Sequence, residues 1–200
     1  MPIFLIRHGE TPFNAARVVQ MPSTPLSERG LEQAARLATR LAGEGVARIL
    51  SSDYARAAMT AERVRQSTAA PLELEPLLQE RNYGDIRGTP YAELDADIFA
   101  ADYVPPRGES WEVFHARVDA AWARVAEVAE RTAGNLAVVT HGLVCYSLAL
   151  HRLVLPRGEA PRMSFANASL TVVESAQSGR VQLLDCTAHL EGGAGGGGRA

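Results

Sequence analysis

Two histidines, each followed by glycine, stand directly behind short apolar runs. Arg7-His8-Gly9 follows Ile3-Phe4-Leu5-Ile6, and Thr140-His141-Gly142 follows Leu136-Ala137-Val138-Val139. A third run, Val46–Ser51, ends in Ser51-Ser52-Asp53, with Arg56 just beyond it. Two imidazoles beside two guanidiniums make a poor metal site. The guanidiniums repel a cation, and no carboxylate adjoins either histidine in sequence. They make a good phosphate site. Arginine grips phosphate oxygens bidentately, and a neutral imidazole can attack phosphorus while the guanidiniums stabilise the transferring group. Backbone N–H groups at the following helix starts are expected to add donors. Each glycine allows a close backbone approach or a φ that another residue resists. Taken singly, each of these residues is commonplace; the set is specific.

An alkoxide leaves poorly, so a proton donor is required. The acidic residues near these motifs are Glu10, Asp53 and Glu80. Asp53 reads better as a helix cap, and Glu10 as a brace for the turn after His8. Glu80 opens a stretch that would cover the site and ranks first.

The elements that must position these side chains alternate strand with helix. Ile3-Phe4-Leu5-Ile6 reads as a strand buried on both faces. Ser27 caps a helix over residues 28–42, with Leu31, Ala34, Ala35, Ala38 and Leu41 on one stripe. Val46–Ser51 is a second strand, and Asp53 caps a helix over residues 54–66. A short strand at residues 72–74 follows. From 76 to 108 the periodicity dissolves among Gly84, Gly88, Pro90, Pro105, Pro106 and Gly108, which reads as an insertion or lid with one short helix at 91–100. Ser110 caps a long helix to about Arg131. The Leu136 strand is followed by a helix over 143–154, and two last strands flank Ser178-Gly179. The expected architecture is a three-layer α/β/α sandwich with a mostly parallel sheet, in which ligands bind at the carboxyl ends of the strands. Residues 1–190 form one domain in this reading, and the Gly-rich tail, residues 191–200, is expected to be disordered.

Composition narrows the chemistry further. The chain has 200 residues, is 46% hydrophobic and carries a net charge of −3, which disfavours nucleic-acid and polybasic membrane partners. All 20 basic residues are arginine. The absence of lysine removes Walker-type phosphate loops and Schiff-base chemistry. Cys145 and Cys186 form no metal spacing and read as two small buried hydrophobes. There is no signal peptide and no apolar run near the ~20 residues of a membrane span, so a cytoplasmic location is expected. His115 and His151 read as structural, and His189 as without a specific role.

Arg7-His8-Gly9-Glu10-Thr11 with Asn14 resembles the signature of the histidine phosphatase superfamily, the phosphoglycerate mutase-like proteins. Pro25-Leu26-Ser27-Glu28-Arg29-Gly30, the stretch from Ser51 to Ala61, Glu80-Arg81-Asn82-Tyr83-Gly84, Gly108-Glu109-Ser110, Val139-Thr140-His141-Gly142 and Asn167-x-Ser169 follow in the family's order, covering residues 1 to 186. The resemblance implies a phosphoglycerate mutase-like fold and a metal-independent phosphatase without cofactor. By position, His8 is the nucleophile that forms a phosphohistidine. Arg7, Arg56 and His141 bind the phosphoryl group, and Glu80 is the general acid and then the base. Asn14 contacts phosphate or the nearby loop; Thr11, Gly142, Arg81, Tyr83 and Arg87 are substrate-binding candidates. Met21 and Thr24 depart from the family's usual Gly and Asp, at the pocket's rim. The mutases of the family carry a longer insertion with more Lys and Arg, which this chain lacks, so the phosphatase branch is favoured over the mutase. Arg81, Arg87 and Arg107 either grip a second anion or are ordinary solvated arginines. The expected partner is a small phosphate ester, such as a sugar, glycerate or nucleotide-like phosphate. Dimers occur in the family, which leaves a homodimer open.

Overall fold

The computed structural model describes residues 1–191; the tail from 192 onward, expected to be disordered, lies outside the described residues. A six-stranded sheet forms the middle layer. Its strands are β1 (Ile3–Arg7), β2 (Val46–Ser51), β3 (Leu72–Leu74), β4 (Asn135–Thr140), β5 (Leu170–Val173) and β6 (Val181–Cys186), in the order β3-β2-β4-β1-β5-β6. The β3-β2, β2-β4 and β4-β1 pairs are parallel, while β5 lies antiparallel to both β1 and β6. The expected α/β sandwich is therefore the one observed.

The apolar run of β1 alternates between two cores. Phe4 and Ile6 face a cluster with Leu37 and Leu41 of α2 (Glu28–Leu41) and Ala57, Ala61 and Val64 of α3 (Ala55–Thr68). Ile3 and Leu5 face the other cluster, with Phe114, Val118 and Val125 of α4 (Trp111–Glu130) and Val144 and Leu148 of α5 (Gly142–His151). A strand buried on both faces cannot alternate apolar with polar, which is why it reads as an unbroken apolar run. Each fully buried Leu, Ile or Phe in these layers contributes about 1.5–3 kcal/mol.

Register sets the site. Arg7 pairs with Thr140 across β1 and β4, and the His8 N–H donates to the Thr140 carbonyl at 3.0 Å. His8 and His141 therefore leave the sheet side by side.

Several local expectations need correction. No helix spans 91–100; a single 3-10 turn, Tyr91–Glu93, stands there. The backbone there is held from outside, Ile98 O by the Arg81 guanidinium and Ala100 O by the Trp111 indole N–H. Asp53 does not cap α3. The helix starts at Ala55 behind Tyr54 with no side-chain cap, and the Asp53 carboxylate accepts from the Gln79 amide at 2.8 Å. α5 ends at His151, because Val154 is drawn away to bridge with Arg180. Cys186 is only partly buried, whereas Cys145 is fully enclosed; both are free thiols. His189 has a partner after all, the Ala168 carbonyl at 2.9 Å. No helix among the described residues is long and apolar enough to cross a membrane.

Candidate active site

At the carboxyl ends of β1, β2 and β4 lies a cavity of about 340 Å³, bordered by Arg7, His8, Arg56 and Glu80. His8 is buried. Its Nδ1 lies 2.7 Å from the Gly9 carbonyl. A carbonyl only accepts, so Nδ1 carries the proton and Nε2 keeps its lone pair. The Arg56 Nε–H donates to that Nε2 at 3.2 Å. Burial pushes the His8 pKa well below its ordinary value, and the charges of Arg56 and Arg7 push the same way. The imidazole is thus neutral, with one tautomer, and its Nε2 lone pair is met by the Arg56 Nε–H.

Arg56 is held from several directions. Its second nitrogen donates to the Met21 carbonyl at 2.9 Å, and its guanidinium lies 5.2 Å from the Tyr54 ring centre. Burial lowers its pKa to about 10, which keeps it charged at neutral pH. Arg7 donates to the Phe165 carbonyl, while its Nε is buried with no partner. His141 stands behind His8, with ring centres 5.1 Å apart, and does not itself border the cavity. Its Nε2 meets the Ser52 hydroxyl at 2.8 Å, and its Nδ1 has no partner. Burial again holds its pKa far down, with Arg56 adding to the effect. Two buried, unpaired nitrogens beside a neutral imidazole are what a bound anion would satisfy.

The two glycines behind the histidines act by close approach; neither has a positive φ. A Cβ on Gly9 would fall 2.6 Å from the Gly30 carbonyl oxygen. A Cβ on Gly142 would lie 3.4 Å from Arg7 Nε.

Glu80 sits at the start of the irregular stretch. Its oxygens accept from the Arg81 N–H at 3.0 Å and from the Leu143 N–H, in the first turn of α5, at 3.2 Å. The α5 start therefore serves Glu80, where the sequence suggested a phosphate. Burial raises the Glu80 pKa against the opposing pull of those N–H groups and of Arg56 and Arg7. Glu10 lies elsewhere, accepting from Ser27 at the cap of α2.

The remaining candidates separate. Asn14, Gly142, Tyr83 and Arg87 border the cavity. Asn14 Oδ1 is engaged by the Thr11 N–H and by Asn167, whose amide also reaches the His8 carbonyl. Thr11 is not a cavity residue. It is buried as the cap of α1 (Pro12–Ala16), accepting from the Asn14 N–H and donating to Gln20. Arg81 reaches the cavity wall, but its nitrogens donate to the carbonyls of Glu109, Ile98 and Tyr103, and its guanidinium lies 4.1 Å from the Trp111 ring. It is a clamp on the loop rather than a free cation for substrate. Arg107 is 82% exposed, paired with Asp85 and away from the cavity.

Sequence reasoning missed Ser52, Tyr54, Arg17 and the Arg117–Glu109 pair. Arg117 donates to the Leu77, Gln79 and Glu80 carbonyls and to both Glu109 oxygens, while Glu109 also accepts from the Asn82 N–H. Burial works against the Glu109 charge, but these bonds outweigh it and hold the pKa down. No group of three or more His, Cys, Asp or Glu side chains that could hold a metal occurs among the described residues.

The sequence profile of the histidine phosphatase superfamily (branch 1) matches residues 3–186. The chain belongs to that superfamily. It is 31% identical over 188 residues to a probable phosphoglycerate mutase GpmB of Escherichia fergusonii, covering 89% of this chain and 86% of that one. Among solved structures it resembles a phosphoglycerate mutase from Bacillus anthracis, with a TM-score of 0.81 at 25% identity and 95% of each chain covered. A mycobacterial glucosyl-3-phosphoglycerate phosphatase matches at a TM-score of 0.76 and 28% identity, over 92% of this chain and 97% of that one. The neighbours thus include both phosphatases and mutases.

Proposed function

We propose that the protein is a metal-independent phosphomonoesterase working through a phosphohistidine. The observation that carries this is the fixed tautomer of His8, whose Nδ1–H donates to the Gly9 carbonyl and whose Nε2 lone pair faces Arg56. In the first half-reaction Nε2 bonds to phosphorus as the P–O bond to the alcohol breaks, and protonated Glu80 gives its proton to the departing oxygen. Arg7 and Arg56 stabilise the charge on the transferring oxygens. If Ser52 donates to His141 Nε2, the Nδ1–H of His141 becomes a further donor to the phosphate. In the second half-reaction Glu80 takes a proton from water, the water oxygen bonds to phosphorus, and the N–P bond breaks. The alcohol is a small organic one. The relatives named as mutases motivate a second reading, transfer of the phosphoryl between two hydroxyls of one substrate.

Phosphate release from a panel of small phosphoesters, with chelator present, tests the proposal in wild type and His8→Ala. Release by wild type alone is expected. Activity retained in His8→Ala, or lost on chelation, sinks the mechanism. Phosphoglycerates interconverted without free phosphate would instead establish the mutase.

A further inference from the structure

Beyond its phosphate end, the cavity is walled by aromatic rings interleaved with Arg17, Gln20, Arg87 and Ser164. Five of the chain's twelve aromatic side chains border it: Phe13, Tyr54, Tyr83, Tyr91 and Phe99. Leu143 and Met163 add aliphatic surface. The Tyr91 and Phe99 rings meet edge to face at 6.1 Å, and Tyr54 packs at 5.4 Å against His141.

Most of the side-chain oxygens with which a polyol would bond are already engaged, the Tyr83 hydroxyl being an exception. Asn14 Oδ1 accepts from Thr11 and Asn167, and Gln20 Oε1 from the Thr11 hydroxyl. Both Glu80 oxygens hold backbone N–H groups, and the Tyr54 hydroxyl accepts from Arg87 at 3.1 Å. A sugar or glycerol hydroxyl entering here gives up water and finds few acceptors in exchange. A planar ring gives up nothing polar and gains edge and face contacts.

We propose that the leaving alcohol is ring-bearing, so that the substrates are phosphate esters of benzyl-type or larger aryl-alkyl alcohols. This rests on the phosphatase reading and adds the chemistry of the leaving group. Phe13 and Phe99 are its specificity-determining residues, one from α1 and one from the 76–108 stretch.

The test compares kcat/KM for benzyl phosphate and for glycerol 3-phosphate, two esters with unactivated alkoxide leaving groups. Wild type is expected to favour benzyl phosphate by at least about tenfold. In Phe13→Ala and Phe99→Ala that ratio is expected to fall about tenfold, and Phe99→Tyr to restore most of it. A wild type that turns over glycerol 3-phosphate as well as benzyl phosphate overturns the proposal. So does a ratio unmoved by both truncations in folded protein, checked by thermal melting. Release from neither ester, with no acid-labile phosphate on His8, overturns the phosphatase reading instead.

Discussion

The floor and the rim of this cavity are built on different principles. The floor is Arg7 and His8, backed by Ser52 and His141, at the ends of paired strands, and its geometry follows from sheet register. The rim consists of 3-10 turns and irregular backbone between 76 and 108. Backbone bonds tie residues 88–91 of the rim to residues 17–19. Two arginines hold much of the rest, Arg81 and Arg117, each donating to three carbonyls. A charge-assisted hydrogen bond is roughly twice as strong as a neutral one, so one guanidinium can replace a short ladder. On the proposed mechanism the floor fixes the attacking atom, and the rim carries the proton donor and the organic group.

The sharpest separation comes from removing the centre of each. His8→Ala is expected to abolish turnover, a loss of about 10⁴-fold or more, since the covalent route vanishes. Glu80→Gln keeps the shape but removes the proton, and is expected to cost about 10²–10⁴-fold in both half-reactions. Their pH signatures differ. The floor needs neutral His8, whose pKa lies well below the usual 6.5, so the acid limb lies well below that value. The rim needs protonated Glu80, whose pKa is raised above the usual carboxylate value, so activity falls as pH rises through it. In Glu80→Gln the alkaline limb disappears. An unchanged alkaline limb in that variant assigns the donor elsewhere.

The same division explains what the sequence reveals. The floor is legible because a doubly buried strand leaves an unbroken apolar run, and the chemistry then stands one residue past it, at His8 and His141. The rim is legible only as a region. Arg81 reads as a substrate cation because its role as a clamp depends on carbonyls at residues 98, 103 and 109, which no local pattern announces. Arg117 lies in the second turn of α4 and looks like any helix arginine. Thr11 fails for the opposite reason. Its spacing to Asn14 is a capping box, a signal present in the sequence but outweighed by its closeness to His8.

Arg117→Met tests the clamp principle. The variant leaves Glu109 without its cation and releases the Glu80 carbonyl, so a loss of about 1–3 kcal/mol in urea stability is expected. A fall in kcat of about tenfold should accompany it, because a donor misplaced by an ångström loses much of its effect. Reduced stability with kcat intact shows that the rim is merely fastened by Arg117 and not aligned by it. The floor has its own dependence on pH. His8 and His141 are neutral in the fold, with pKa values far below the unfolded value near 6.5. Below that value the unfolded chain binds protons that the folded one does not, so stability falls as pH falls. The slope approaches about 1.4 kcal/mol per pH unit for each histidine. Urea midpoints from pH 7 to 5 measure it, and the double variant His8→Asn/His141→Asn should flatten the curve. A curve equally steep in that variant moves the effect to other groups.

The finest test concerns Gly142, where floor and rim meet. Its backbone φ is ordinary, so alanine introduces no conformational strain there. The added methyl would sit 3.4 Å from Arg7 Nε and 3.6 Å from the guanidinium carbon, tight but within reach of a small adjustment. Arg7 can move, because its Nε has no partner. Stability should therefore change by no more than about 0.5 kcal/mol, as alanine also favours the helix start. Activity should fall a few-fold, about two to five, if a displacement of a few tenths of an ångström at Arg7 weakens its grip on the transferring oxygens. The loss should appear in kcat/KM for every ester alike, since phosphate is common to all of them. A loss confined to ring-bearing esters would place Gly142 with the rim and count against a floor that acts only on phosphate.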